Sequence, residues 1–299
     1  MTVDRKTEIF AESRSIFRWR PAAWLRVSGA DAAVFLQGQL TNDLRGLGAD
    51  GAIYGLWLNH KGRVLADSFV LRGRKGEFWV GSYFSSATKI REHLESFIVA
   101  DDVAIEDVTA NWCGVTVLGA VDGIAGESRE VFVFSGRRSA EPGCELVFPD
   151  TLEEAVLARF AGARELDAAE MERRRIGTGI PAVPADIGPG ELPNEGGLED
   201  VAISYTKGCY LGQEVMARLK TMGQVRRRLR RVRGGGAMPQ LPAAVFQGGR
   251  KIGELRSAAR DGEGFVGLAL VSLLNLRRDA ALSFSAEDEA GAMIFSDTP

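Results

Sequence analysis

The residues best placed to do chemistry lie in one stretch, Thr206-Lys207-Gly208-Cys209-Tyr210-Leu211-Gly212-Gln213-Glu214-Val215-Met216-Ala217-Arg218. Residues 201–205 before it are rich in β-branched and aromatic side chains, which predicts a strand. From Glu214 to Met222 helix formers dominate, which predicts a helix. The glycines between relax the backbone, so the expected geometry is strand, tight turn, helix. Cys209 would then lie near a helix N-terminus with Lys207 two residues away, and both features favour thiolate over thiol. A small buried Cys filling space beside a turn is the other reading of the same residue.

The elements around this stretch carry further candidates. Asp31 to Leu40 is predicted as a short helix, with Ala32, Phe35, Leu36 and Leu40 at helical spacing and Ser28 or Asp31 placed to cap it. Ala52 to Leu58 and Val64 to Leu71 read as a hairpin turning at Asn59-His60-Lys61-Gly62. Side chains alternate along a strand, so Leu65, Asp67, Phe69 and Leu71 share a face. A carboxylate in that apolar row must find a partner or a pocket mouth. Helices are also expected over 85–98, 151–160 and 167–176, and strands over 24–28, 77–80, 103–108 and 113–118. Residues 1–23 are expected to wrap the surface, and 119–143 to form a variable connection. A Pro/Gly-rich segment from Gly177 to Leu198 holds Glu195, and loops of that length inside a domain are often functional. Arg226, Arg227, Arg228, Arg230, Arg231 and Arg233 form a basic run on a predicted exposed strand. It is either a solvated face or an anion site.

Lys207-Gly208-Cys209-Tyr210, Gly212-Gln213-Glu214 and Arg218 together resemble the signature of the YgfZ/Iba57 family of folate-binding proteins. These are similar to the glycine-cleavage T-protein, an aminomethyltransferase that uses tetrahydrofolate. The block from Asp31 through Phe35-Leu36-Gln37-Gly38-Gln39 to Thr41-Asn42-Asp43 resembles the family's N-terminal signature. The resemblance implies an α+β fold. Two interleaved subdomains around a central channel would make up residues 1–222, and an antiparallel β-barrel residues 223–299. It also implies tetrahydrofolate as cofactor, with the pterin on Glu195, Asp67 near the reactive nitrogens, and amides from Gln37, Gln39 and Asn42. T-proteins carry an adjacent Asp-Asp pair where this chain has Ala66-Asp67, so aminomethyltransferase chemistry is not expected.

Composition narrows the field. With 299 residues, 45% of them hydrophobic and 26% charged, the chain suits an ordinary globular core. A net charge of -3 gives no global pull toward nucleic acid. No apolar run reaches membrane-spanning length and no signal pattern opens the chain, so a cytoplasmic protein without membrane contact is expected. Cys113, Cys144 and Cys209 show no C-x-x-C spacing, and His60 and His93 have no ligand at metal-site spacing. No metal site is expected, and three scattered thiols fall short of the four that usually hold an iron–sulfur cluster.

Three functions remain open on this reading. The resemblance implies an accessory factor for assembly, maturation or repair of iron–sulfur enzymes, tRNA-modifying ones included, working through Cys209 and Lys207. Its partners would be client enzymes or the assembly machinery. The alternatives are a folate-dependent one-carbon transferase and a tRNA-binding module contacting RNA through Arg226 to Arg233.

Overall fold

Two of the three sheets are threaded through each other by the chain order, in a computed structural model that describes residues 14–48, 51–121, 124, 130–277, 280–287 and 293–296. Residues 1–13 of the expected surface wrap, and parts of 119–143 and of the C-terminal strands, lie outside the described residues.

The chain starts with β1 (Ser15–Trp19) and leaves that sheet to build another from β2 (Ala23–Ser28), β3 (Ala52–Leu58), β4 (Val64–Arg72), β5 (Phe78–Ser82) and β6 (Ala104–Asp107). It then returns with β7 (Trp112–Leu118), β8 (Phe132–Phe134), β9 (Gly143–Pro149) and β10 (Arg164–Glu165). The strand orders are β10-β1-β7-β9-β8 and β3-β4-β5-β2-β6. Among the described residues, only the β1–β10 pairing within these two sheets is parallel. The expected interleaving is therefore present in the strand order, and β1, which sequence periodicity did not reveal, is what closes it.

The reason lies in the side chains. β4 is buried almost throughout, as a strand covered on both faces must be. On one face α1 (Ala32–Gln39) and α2 (Ala87–Glu95) pack Phe35, Leu36, Ile90 and Leu94 against Leu25, Val27, Val70 and Val80. On the other, Trp24, Phe69 and Trp79 meet Trp112, Phe134 and Val147 of the first sheet. Burial of these large rings supplies much of the driving force that holds the sheets together.

α3 (Glu153–Ala158) and α4 (Ala168–Gly177) follow, the latter capped by Asp167 accepting from Glu170 N. After a long connection come α5 (Glu199–Ala202) and α6 (Gln213–Met222). The third sheet is antiparallel, β12-β13-β14-β11-β15, built from β11 (Arg227–Gly235), β12 (Ala243–Gln247), β13 (Arg250–Asp261), β14 (Gly264–Ser272) and β15 (Met293–Phe295). α4 ties this sheet to the rest. Ile176 packs on Ala259, Val266 and Leu268, and the buried Arg175 donates to Asp186 (2.7 Å) and Ser257 (3.1 Å).

One expectation fails here. Residues 201–205 form no strand; the chain leaves α5 and continues without regular structure. Thr41 replaces the missing ladder, its hydroxyl donating to Ala202 O (2.6 Å) and its carbonyl accepting from Ser204 N (3.1 Å). Ala202 and Ile203 meanwhile bury their side chains with Leu56, Leu58 and Val64. Apolar content was read correctly, but the backbone partner is a single threonine.

Candidate functional site

Gly212 fixes where the signature loop lands. It precedes α6 at φ 84°, a left-handed conformation natural to glycine. A Cβ there would stand 2.9 Å from Asn59 O and 3.1 Å from Gly62 Cα, so the loop rests directly on the hairpin turn. Gly62, itself at φ 68°, would in turn meet Val215 and Met216 of α6. The two glycines let the turn and the helix start pack backbone to backbone.

Lys207 corrects the thiolate argument. Its side chain is buried, and Nζ donates to Gln37 O (2.6 Å), Leu40 O (2.6 Å) and Asn42 O (3.0 Å). These carbonyls cluster at the C-terminal end of α1, where orphan acceptors and the negative dipole end attract a cation. All three ammonium protons are used, so Lys207 fastens the loop to α1 instead of serving Cys209. Burial pulls its pKa down to about 8, opposed by the Asp43 charge. Nor does Cys209 lie in the first turn of a helix, since α6 begins four residues later.

Cys209 is exposed, whereas Cys113 and Cys144 are buried. The space-filling reading of Cys209 is thereby removed. Its neighbour Tyr210 turns inward, packs in the core, and lies under the Lys207 ammonium (5.1 Å to the ring centroid). The Tyr210 hydroxyl is buried with no partner among the described residues, and burial raises its pKa far above the ordinary value. The Gly208 Cα faces open space, and Gln213 N bonds Tyr210 O (3.2 Å). Glu214 and Arg218 pair at 2.6 Å on the exposed face of α6. They decorate the helix, and among the described residues neither bonds another residue of the site.

Asp67 has the partners its burial requires. Oδ1 accepts from Ser82 and Ser85 hydroxyls (both 2.7 Å) and Oδ2 from the Tyr54 hydroxyl (3.0 Å). Burial raises its pKa, and the three hydroxyls oppose that rise. Arg137 lies over the Tyr54 ring, 4.4 Å from its centroid. Sequence reasoning did not find Ser82, Ser85 or Tyr54; only the partner face of the hairpin, Tyr54 across from Phe69, was in principle readable.

Glu195 lies in the short 3-10 turn Pro193–Gly196 and is buried. Its Oε2 accepts from Leu192 N (2.8 Å), and the Arg227 guanidinium forks onto both oxygens (2.9 and 3.2 Å). The basic run is thus a clamp more than a solvated strand face. Arg228 bonds Glu199 (2.8 Å) and Asn194 O (3.0 Å), and Arg231 bonds Gly177 O (2.8 Å). Pairing with acids upstream, unreadable from spacing, offsets the charges of Arg227 and Arg228 that an RNA contact would use.

The amides divide. Asn42 is committed locally, donating to Tyr54 O (2.9 Å) and Val201 O (3.4 Å) and accepting from Asp43 N. Gln37 is bonded to Asp43 and Leu44 N. Gln39 Oε1 is buried with no partner among the described residues. The structure therefore brings Lys207 to the Gln37–Asn42 segment, and Asp67 to Tyr54, whose carbonyl receives Asn42. A pocket of about 370 Å³ between α5 and α6 is lined by Tyr205, Leu219, Lys220 and neighbours, and by none of Cys209, Asp67 or Glu195.

The fit of a pterin rests on what these acceptors have left. A carboxylate offers about four acceptor positions, and three donors occupy Glu195. Gln39 Oε1 is free to accept. No cluster of three or more metal-ligating side chains occurs among the described residues, and no helix among them is long and apolar enough to cross a membrane.

Comparison with known proteins places this geometry. Residues 3–121 match the GCVT N-terminal domain, and residues 226–293 the CAF17 C-terminal beta-barrel domain. The human mitochondrial iron-sulfur cluster assembly factor IBA57 is 31% identical over 285 residues, covering 85% of this chain and 76% of the relative. The tRNA-modifying protein YgfZ of Edwardsiella ictaluri is 29% identical, covering 88% of this chain and 85% of the relative. Among solved structures, the glycine cleavage system aminomethyltransferase T of Bartonella henselae superposes with a TM-score of 0.76. That match has 16% identity and covers 96% of this chain and 90% of the other, a likeness of fold.

Proposed function

The chain belongs to the family that holds the IBA57 and YgfZ proteins, and from that premise we propose that it is a tetrahydrofolate-binding accessory factor for assembly, maturation or repair of iron–sulfur enzymes, tRNA-modifying ones included. The observation that carries the reading is Cys209, the exposed thiol on a loop fastened at both ends. Lys207 secures it on one side and the Gly212–Gly62 contact on the other. Metal–sulfur bonds form through the deprotonated thiol, which an exposed position permits. One thiol cannot hold a cluster permanently, and transient contact with a cluster or client suits it better.

Glu195 and Gln39 are the residues that would hold a pterin, and Asp67, a carboxylate kept in place by three hydroxyls, would act toward its nitrogens. A bound tetrahydrofolate would supply one-carbon chemistry at its nitrogens. Transferase activity is the weaker reading. Ala66, where the T-protein pattern has an acid, is buried among Leu25, Leu36 and Val70 on the α1 side of the sheet. A second carboxylate there would be unpaired in an apolar cluster. An RNA contact through Arg226 to Arg233 is weaker again, because Arg227, Arg228 and Arg231 are engaged. Cytoplasmic location, and domains dividing near residue 222, belong to the same proposal.

The test is complementation of a deletion strain, scored by the activity of an iron–sulfur enzyme under oxidative stress. Wild type restores activity and Cys209→Ser, expressed to the same level, does not. Full rescue by Cys209→Ser would overturn the thiol role.

A further inference from the structure

Two arginines in this chain are buried to nearly the same extent, and they are treated differently. Arg175, 2% exposed, donates to Asp186, Glu172, the Ile180 carbonyl and Ser257. Arg138, 7% exposed, makes no hydrogen bond and no ion pair among the described residues, and its Nε is shut off from solvent without a partner. Its guanidinium is instead surrounded by rings: Tyr83 at 3.9 Å, Trp19 at 4.5 Å, Phe17 at 5.4 Å and Phe84 at 5.5 Å to the centroids. Arginine keeps its charge under such conditions, and its five N–H donors keep their demand for acceptors. Cation–π contact satisfies the charge in part and the donors not at all.

The nearest acid does not meet that demand. Glu145 is felt by Arg138 through its charge, as are Glu172, Tyr83 and the repelling Arg175. Each Glu145 oxygen, however, accepts from another donor, Oε1 from the Tyr83 hydroxyl (2.8 Å) and Oε2 from the Thr116 hydroxyl (2.7 Å), and neither bonds Arg138 among the described residues. The adjacent Arg137 lies over Tyr54. Tyr54 and Tyr83 both pack on Phe69 with centroids 5.1 Å away, so the two guanidinia rest on one aromatic wall.

We infer that Arg138, with Arg137 beside it, is a binding site for a carboxylate group. Two guanidinia and one glutamate leave a net positive charge, which suits an anionic group. The planar guanidinium fork matches a flat carboxylate, through two parallel hydrogen bonds, better than a tetrahedral anion. The inference stands apart from the folate reading, although the glutamate arm of a folate is one source of such a carboxylate. A free dicarboxylate is the other.

Nitrogen-15 spectra of the arginine side chains of the intact protein test it directly. Glutarate is expected to shift the Arg138 Nε–H signal saturably, and inorganic phosphate at equal ionic strength is expected not to. Calorimetry of Arg138→Gln and Arg138→Lys should show at least a tenfold loss of glutarate affinity, since an ammonium lacks the fork. If folic acid loses affinity in Arg138→Gln while a tetrahydropterin without the glutamate arm does not, the carboxylate is that of the folate. If only glutarate is affected, it is a separate small acid. An unmoved Arg138 signal in wild type, or phosphate acting as strongly as glutarate, would overturn the site, and neither result depends on the variants folding. Failure of the pterin to bind would count against the folate proposal alone.

Discussion

The Lys207 ammonium stands 2.6 Å from the Leu40 carbonyl, across a sequence separation of 167 residues. The signature loop and the end of the N-terminal helix are therefore one structural unit. Lys207→Met keeps the aliphatic stem and removes three donors, leaving three carbonyls without their cation. Bonds to a charged group contribute about 1.5–3 kcal/mol each, with losses partly recovered by water. The variant should lose at least about 2 kcal/mol in urea denaturation, and hydrogen exchange should rise in both 205–212 and 37–44. Protection unchanged in 37–44 would mean the two segments are not coupled.

Thiol reactivity should follow exposure. Burial pushes Cys144 up to about 11 and also raises Cys113. Brief iodoacetamide labelling near neutral pH should modify Cys209 first, by an order of magnitude or more, read by peptide mass spectrometry. Lys207→Met should leave that ranking intact, because exposure of Cys209 sets it and the ammonium is bonded elsewhere. Equal labelling of the three cysteines would contradict the assigned burial.

Glu195 is expected to matter for tetrahydrofolate and its resting partner is not. In calorimetry Glu195→Ala should weaken binding at least tenfold, about 1.4 kcal/mol. Arg227→Met frees the carboxylate and should not weaken it. Unchanged affinity in Glu195→Ala would remove that residue from the site.

Glu145 should shape stability across a defined acidic window. Burial raises Glu145 from 4.5 to about 6, with Arg138 and the Thr116 and Tyr83 hydroxyls opposing. The folded chain then holds this proton more tightly than the unfolded one. Its contribution is fully present below pH 4.5 and is lost as pH rises through 6, roughly 2 kcal/mol in all. His93 acts in the opposite sense, since burial lowers it from 6.5 to about 4. Its contribution is present above 6.5 and lost as pH falls, so the two must be separated by mutation. Glu145→Gln should make stability rise more steeply between pH 4.5 and 6 than in wild type. An identical slope would show that Glu145 does not titrate there.

Gly212→Ala tests the backbone contact under the loop. The left-handed conformation costs an alanine about 1–2 kcal/mol, and its Cβ would press on Asn59 O at 2.9 Å. A loss of 2 kcal/mol or more is expected in thermal or urea unfolding. Gly208→Ala, with its Cα facing open space, is the control and should cost far less.

Local sequence determined a good deal of this protein. The 52–71 hairpin, α1 and α2 follow from periodicities that each segment carries within itself. So does the demand of Asp67 for partners, because a carboxylate between Leu65 and Phe69 is costly wherever the strand goes. Tertiary structure decided which groups answer those demands. Ser82, Ser85 and Tyr54 reach Asp67, Arg227 reaches Glu195, and Lys207 turns from Cys209 to the end of α1. Each is a polar contact between segments far apart in the chain, fixed by how sheets and helices stack. Hydrophobic spacing records which face of an element is buried and holds no information about the partner it meets there.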